Sequence, residues 1–184
     1  MFKLPFFSSH KKPETPPEGE ARKTTLILGL GNPGERYRRT YHNAGHLYID
    51  FATQGPFKKY KHFAFNRQGN LILAKSLTYM NQSGLSAVEA LKYFNLTPRS
   101  LLVAHDDSDL PLGKHKLSAS QGSAGHKGVQ SIINQLGTKD FARLRIGVRG
   151  KAPGKAGEFV LKPMGPAELE ILQEGFEKIT LPQA

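Results

Sequence analysis

Apolar and polar positions along this chain follow two periods, and the switches between them predict its elements. Thr25–Leu30 is a short unbroken apolar run, the pattern of a strand buried on both faces. Ala44–Gln54 sets Leu47, Ile49, Phe51 and Ala52 at helical spacing. Gly84–Phe94 does the same with Leu85, Val88, Leu91 and Tyr93/Phe94, and Pro98 marks its exit. Phe57–Phe65 and Asn70–Lys75 read as strands, Leu101–Ala104 as a short buried strand, and His115–Ser120 as a weaker one. His126–Leu136 is a helix (Val129, Ile132, Ile133, Leu136) stopped by Gly137. Arg143–Val148 alternates Leu144, Ile146 and Val148 as a strand does, and Pro166–Ile179 is a closing helix carrying Leu169, Leu172 and Phe176. Strands alternating with helices, without an internal repeat, predict the α/β class. The expected architecture is a single domain with a mixed, mostly parallel sheet flanked by helices. That domain is expected over 24–184, behind a flexible leader at 1–23 that holds four prolines and little periodicity. The leader's first residues (Phe2, Lys3, Phe6, Phe7, Lys11, Lys12) are compatible with organelle targeting. The absence of arginine there and the nearby Glu14, Glu18 and Glu20 favour a plain tail.

Composition narrows the chemistry. At 184 residues the chain can bury one real core. It has no cysteine, which removes disulfides, thiolate metal sites and a cysteine nucleophile. No run approaches the ~20 apolar residues of a membrane span. The net charge is +11, from 26 basic and 15 acidic side chains, which points first to nucleic acid and second to an anionic membrane surface. Between Leu110 and Gly157 nine Lys/Arg face a single acid, Asp140, whereas Pro166–Lys178 carries Glu168, Glu170, Glu174 and Glu177. A basic block followed by an acidic helix reads as a localised phosphate-binding face, with a solvated basic surface as the alternative.

In open α/β sheets ligands bind beyond the carboxyl ends of the strands. Polar residues recur there: Asn32, then Tyr79/Met80/Asn81, then His105/Asp106. Gly29-x-Gly31-x-x-Gly34 after a strand spells a dinucleotide loop. Against it, Pro33 removes an N–H where a helix should offer one, and the spaced acid Asp50 falls inside a helical pattern. His42 and His46 have the i, i+4 spacing of a zinc pair, but Asn43 stands where H-E-x-x-H has its base, and a third ligand must come from His105, His126 or an acid. His105-Asp106-Asp107-Ser108-Asp109 could hold a hard cation, form a solvated acidic turn, or supply one carboxylate to orient a histidine. In the last case His42 with Asp106 is a general base for water and needs no nucleophilic side chain. The small-residue run Ser118–Gly128 precedes a helix and suits a phosphate or RNA backbone contact or a mobile loop; it is no Walker A loop.

The stretches LILGLGNPG (26–34), TYHNAG (40–45), KSLTYMNQSG (75–84), LLVAHDDSDLPLG (101–113), GHKG (125–128) and FARLRIGV (141–148) together resemble the bacterial-type peptidyl-tRNA hydrolases, in a form expected of a eukaryote or organelle. The resemblance runs from Thr24 to Lys178 and implies hydrolysis of the ester joining a peptide to the terminal ribose of tRNA. It implies His42 as general base, Asp106 orienting it, Asn32 recognising the acylated amine, and Asn81 holding the peptide carbonyl or the water. It places Tyr37 and Tyr79 around the 3′ end of the tRNA. Lys116, Lys127, Arg143 and Arg145 are candidate tRNA contacts in the basic block. It implies no cofactor and no metal, a monomer, and a cytoplasmic or mitochondrial, not secreted, enzyme. The sequence departs from the family at Lys127 (for asparagine), at Tyr41 (for arginine) and at Ser76 (for proline). Lys127 motivates the main alternative, a catalytically weak, hydrolase-like RNA-binding module. A nucleotide-dependent oxidoreductase is the third reading.

Overall fold

The computed structural model describes residues 24–150 and 159–181; the expected leader at 1–23 lies outside them. Seven strands form one sheet in the order β2-β3-β4-β1-β5-β7-β6. Its centre is parallel: β1 (Thr25–Gly29) lies between β4 (Leu71–Ser76) and β5 (Leu101–Pro111), and β5 pairs with β7 (Ala142–Arg149). The edges are antiparallel, with β3 (Phe63–Gln68) on β4, β2 (Lys58–Tyr60) on β3, and β6 (His115–Ala119) on β7. Helices α2 (Ser83–Tyr93) and α3 (Lys127–Leu136) cover one face; α1 (Ala44–Ala52) and α4 (Pro166–Glu177) cover the other. The strand side chains alternate between two cores. Leu26, Leu28, Leu101 and Val103 pack towards α2 and α3, while Ile27, Leu102, Ala104 and Leu144 pack towards α1 and α4. The mixed, mostly parallel α/β sheet is therefore as expected.

Two strand expectations are corrected. Phe57–Phe65 is not one strand but a hairpin: Lys61 takes φ 41° and reverses the chain between β2 and β3. Leu101–Ala104 is not a short strand, because β5 continues to Pro111. Its polar half stays in the sheet because Asp106 and Asp107 lie beside Ile146 and Gly147 of β7, and an irregularity follows before Pro111.

The glycines of the G-x-G-x-x-G run serve packing. A Cβ on Gly29 would stand 2.4 Å from the carbonyl oxygen of Gly45, and one on Gly31 would stand 2.6 Å from the His46 ring. Both therefore let α1 lie directly on the end of β1. No long helix starts after Gly34; a 3-10 turn, Glu35–Tyr37, does. The nucleotide-loop reading thus lacks its helix N-terminus.

Candidate active site

His42 sits in a 3-10 turn, Tyr41–Asn43, directly ahead of α1. Its main-chain N–H donates to the Val160 carbonyl at 2.8 Å. Asp106, on β5, is 4% exposed and faces that turn. The Nδ1 of His42 lies 2.8 Å from Asp106 Oδ1. With the carboxylate as acceptor, His42 carries its proton on Nδ1 and its Nε2 lone pair is open. The third member is His126, whose Nε2 lies 2.8 Å from the same Oδ1. Its Nδ1 caps α3, accepting from the main-chain N–H groups of Gly128 (3.1 Å) and Val129 (3.2 Å). Those two donors require a lone pair on Nδ1, so the His126 proton is on Nε2 and is donated to Asp106. Burial alone would raise the Asp106 pKa. The imidazoles of His126 and then His42 outweigh it and hold the carboxyl well below the ordinary range.

By residue type, His42, Asp106 and His126 could ligate a cation, since their ligand atoms lie within 4.8 Å of one another. The hydrogen bonding does not fit one. His126 Nε2 has no lone pair to offer while α3 holds Nδ1 as an acceptor. The i, i+4 pair of the zinc alternative is not assembled either, because His46 turns its Nε2 to Ser76 Oγ at 3.3 Å. Ser76 also donates to the Gly31 carbonyl at 3.3 Å, a bond that the family's proline could not make. The acidic run is no cation site: Asp107, on the opposite face of β5 from Asp106, pairs with Arg145 and accepts the Asp109 N–H at 2.9 Å. It is no solvated turn either, since Asp106 and Asp107 are both buried.

A cavity of about 560 Å³ opens over His42 and Asp106, a size that accepts an organic ligand. Asn32, Asn81, Tyr37, Tyr79 and Lys127 line it, so residues far apart in sequence converge as the strand ends foretold. Asn32 is fixed on three sides. Its N–H donates to Asn43 Oδ1 at 2.9 Å, its carbonyl accepts from Asn43 Nδ2 at 3.0 Å, and its Oδ1 accepts the Met80 N–H at 2.8 Å. The amide is thereby oriented with Oδ1 inward, which leaves the Nδ2 donors for the cavity. Tyr79 stands half exposed at the rim. Lys116 lies outside the cavity, exposed on β6 opposite Arg145.

Two candidate phosphate contacts, Arg143 and Arg145, line the cavity and are held by the protein itself. Arg143 is 3% exposed and donates to the Gly122 carbonyl at 2.7 Å and to Gln121 Oε1 at 3.3 Å. It anchors the Ser118–Gly125 loop as a wall of the cavity and is no surface cation. Arg145 is half-buried and engaged with Asp107. The basic block therefore contributes fewer free charges than its composition promised, because Arg143 is engaged with Gly122 and Gln121 and Arg145 with Asp107.

Sequence reasoning missed four contributors. His126 carried a signal, a histidine at a helix start that faces the strand ends. Asn43 carried none beyond its place beside His42. Tyr41 donates to Glu168 Oε1, and Glu168 Oε2 accepts the Gly165 N–H at 2.8 Å, so the residue replacing the family arginine ties His42's turn to α4. Burial, with Glu168 adding to it, pushes the Tyr41 phenol up to about 12, so it remains a donor.

The family model for peptidyl-tRNA hydrolase matches residues 26–181. A peptidyl-tRNA hydrolase of Aquifex aeolicus is 41% identical over 162 residues, covering 83% of this chain and 84% of that one. One from Gloeobacter violaceus is 43% identical over 157 residues, covering 80% and 79%. The crystal structure of peptidyl-tRNA hydrolase from Acinetobacter baumannii superposes with a TM-score of 0.73 at 28% identity, covering 86% of each chain.

Proposed function

The chain belongs to the peptidyl-tRNA hydrolase family, and from that premise we propose how its cleft cleaves the ester between a peptide and the terminal ribose of tRNA. His42 Nε2 takes a proton from water as the water attacks the ester carbonyl. The Asp106 carboxylate, on the far nitrogen, fixes the tautomer and stabilises the positive charge that His42 gains. The tetrahedral intermediate then collapses. The C–O bond to the ribose breaks, and His42 returns its proton to the departing hydroxyl. Asn81, exposed at the cavity edge, holds the carbonyl or the water. The inward Oδ1 of Asn32 gives discrimination a physical form. Its outward N–H groups can donate to the acyl carbonyl that a blocked amine carries, and a free aminoacyl group has no such carbonyl. Tyr37 and Tyr79 receive the 3′ end by stacking, and Lys116 and Lys127 meet its phosphates.

The observation that carries this reading is His42 Nδ1 held 2.8 Å from buried Asp106 beside two converging asparagines, an arrangement that leaves Nε2 for the water. A binding module without turnover has no need of that arrangement. The reading extends to a monomeric enzyme in the cytoplasm or a mitochondrion, working without a metal because the hydrogen bonding of His126 leaves it no lone pair for one. The test compares N-acetylaminoacyl-tRNA with the same tRNA carrying a free amine. The protein should cleave only the blocked form, and His42→Ala should lower kcat at least 10³-fold while tRNA binding survives. Equal cleavage by His42→Ala, or binding without any cleavage by the unaltered protein, would overturn the mechanism.

A further inference from the structure

The cations that the sequence led one to expect around the cleft are partly engaged inside the protein, and a different set stands free at its mouth. The turn after Pro33 reads Glu35-Arg36-Tyr37-Arg38-Arg39, three arginines against one acid in five residues. All three arginines are exposed, whereas Tyr37 between them is half-buried and lines the cavity. The backbone that carries them is fixed. The Tyr37 N–H donates to the Gly34 carbonyl at 3.0 Å, and the Thr40 N–H and Oγ1 both donate to the Tyr37 carbonyl, at 3.0 and 2.8 Å. The Arg39 carbonyl accepts the Met164 N–H at 2.8 Å, tying the turn to the segment before α4.

The arginine heads, in contrast, have little to hold them. The Arg38–Glu35 pair is 3.4 Å long and largely solvated on both sides, an arrangement worth almost nothing. The Arg39 guanidinium makes no hydrogen bond or ion pair among the described residues. Arg36 lies over the Tyr37 ring, its guanidinium carbon 4.6 Å from the centroid. A guanidinium held over a ring keeps its N–H donors for other partners, which suits a phosphate.

We propose that Arg36, Arg38 and Arg39 form a docking surface for the phosphodiester backbone of the single-stranded 3′ end of the substrate tRNA. The inference rests on the hydrolase reading above. If the terminal ribose ester is at His42, the nucleotides just before it leave the cavity over its rim, and this turn is polycationic ground on the Tyr37 side of that rim. Rigid backbone beneath free guanidinium heads also means that binding orders few main-chain torsions, so the charges act at little entropic cost.

The experiment uses the full chain with Arg36, Arg38 and Arg39 all changed to Gln, beside each single change. Two substrates are compared: N-acetylaminoacyl-tRNA, and the N-acetylaminoacyl ester of adenosine, which has no phosphate. On the tRNA the triple variant should raise KM about tenfold or more while kcat changes less than twofold. Its log–log salt dependence of kcat/KM should flatten by about 2, near 0.7 for each single-strand phosphate that the protein no longer neutralises. On the adenosine ester the defect should vanish. Unchanged KM and salt slope on tRNA would overturn the proposal, and so would equal losses on both substrates, which mean damage to the cleft. The single variants should each show a part of the KM effect, and three silent singles with a silent triple would also overturn it. Failure of the unaltered protein to cleave either substrate would instead strike the hydrolase reading, a separable result.

Discussion

Asp106 offers a single oxygen to two imidazoles, and the two are not equivalent. His42 faces the cavity with its other nitrogen, while His126 has its other nitrogen held by the first turn of α3. In the proposed mechanism His126 is thus a positioning residue, which donates to the carboxylate and keeps it aimed. Asn at position 126 can still cap the helix but is too short to reach Asp106. His126→Asn should lower stability by about 1.5–3 kcal/mol, because it removes the stronger partner of a buried carboxylate, and should lower kcat ten- to a hundredfold with little change in KM. Each loss is the worth of one hydrogen bond to a charged group. A kcat change below twofold would deny His126 this role. At this scale the sequence was partly legible. That His42, Asp106, Asn32 and Asn81 would meet could be read because each stands near the end of an apolar strand run or a glycine turn. That Arg143 is buried against the loop could not be read, because a sequence shows its charge but not its partners Gly122 and Gln121.

Helix α1 holds the His42 turn against the sheet, and its fit depends on bare backbone. A Cβ on Gly45 would come within 2.2 Å of the Ala104 carbonyl and 2.6 Å of the Leu30 amide nitrogen. Neither atom can yield without breaking the ladder between β1 and β5, where the Leu30 N–H donates to the Ala104 carbonyl at 2.9 Å. Gly45→Ala should therefore cost about 3 kcal/mol or more, read as a fall in denaturation midpoint, and should lower activity as well because His42 lies directly ahead of this helix. A stable, fully active variant would refute this account of the glycine. Elements were largely legible from periodicity: the helices and most strands stand close to expectation. The exceptions are informative. The β2–β3 turn has no glycine or proline to announce it, and the polar end of β5 reads as a loop because its charges are neutralised by partners far away in sequence.

Across the whole molecule, charge and pH act together. His105 is 3% exposed; its Nδ1 lies 2.7 Å from the Asp106 carbonyl, and its Nε2 has no partner among the described residues. Burial, with His126 and Arg143 nearby, lowers its pKa to about 3, although Asp106 opposes the shift. The folded value lies below that of the unfolded chain, so the unfolded state takes up a proton that the fold refuses. Stability should fall as pH drops from about 6.5 towards 3, by about 2 kcal/mol between pH 7 and 5 from this residue alone. Asp106, whose folded value is depressed, adds to the loss only once pH falls below about 4. Urea denaturation at the two pH values checks this, and His105→Asn should flatten the difference; an unchanged slope would acquit His105. The bonds that seat the catalytic turn have a further consequence. His42 leans on Val160, Arg39 on Met164, and Tyr41 on Glu168. Its turn is made early in translation but is braced by residues made late. While it is being synthesised, this chain is itself a peptide esterified to tRNA. The order of its own sequence withholds the finished blade until most of the chain has been made.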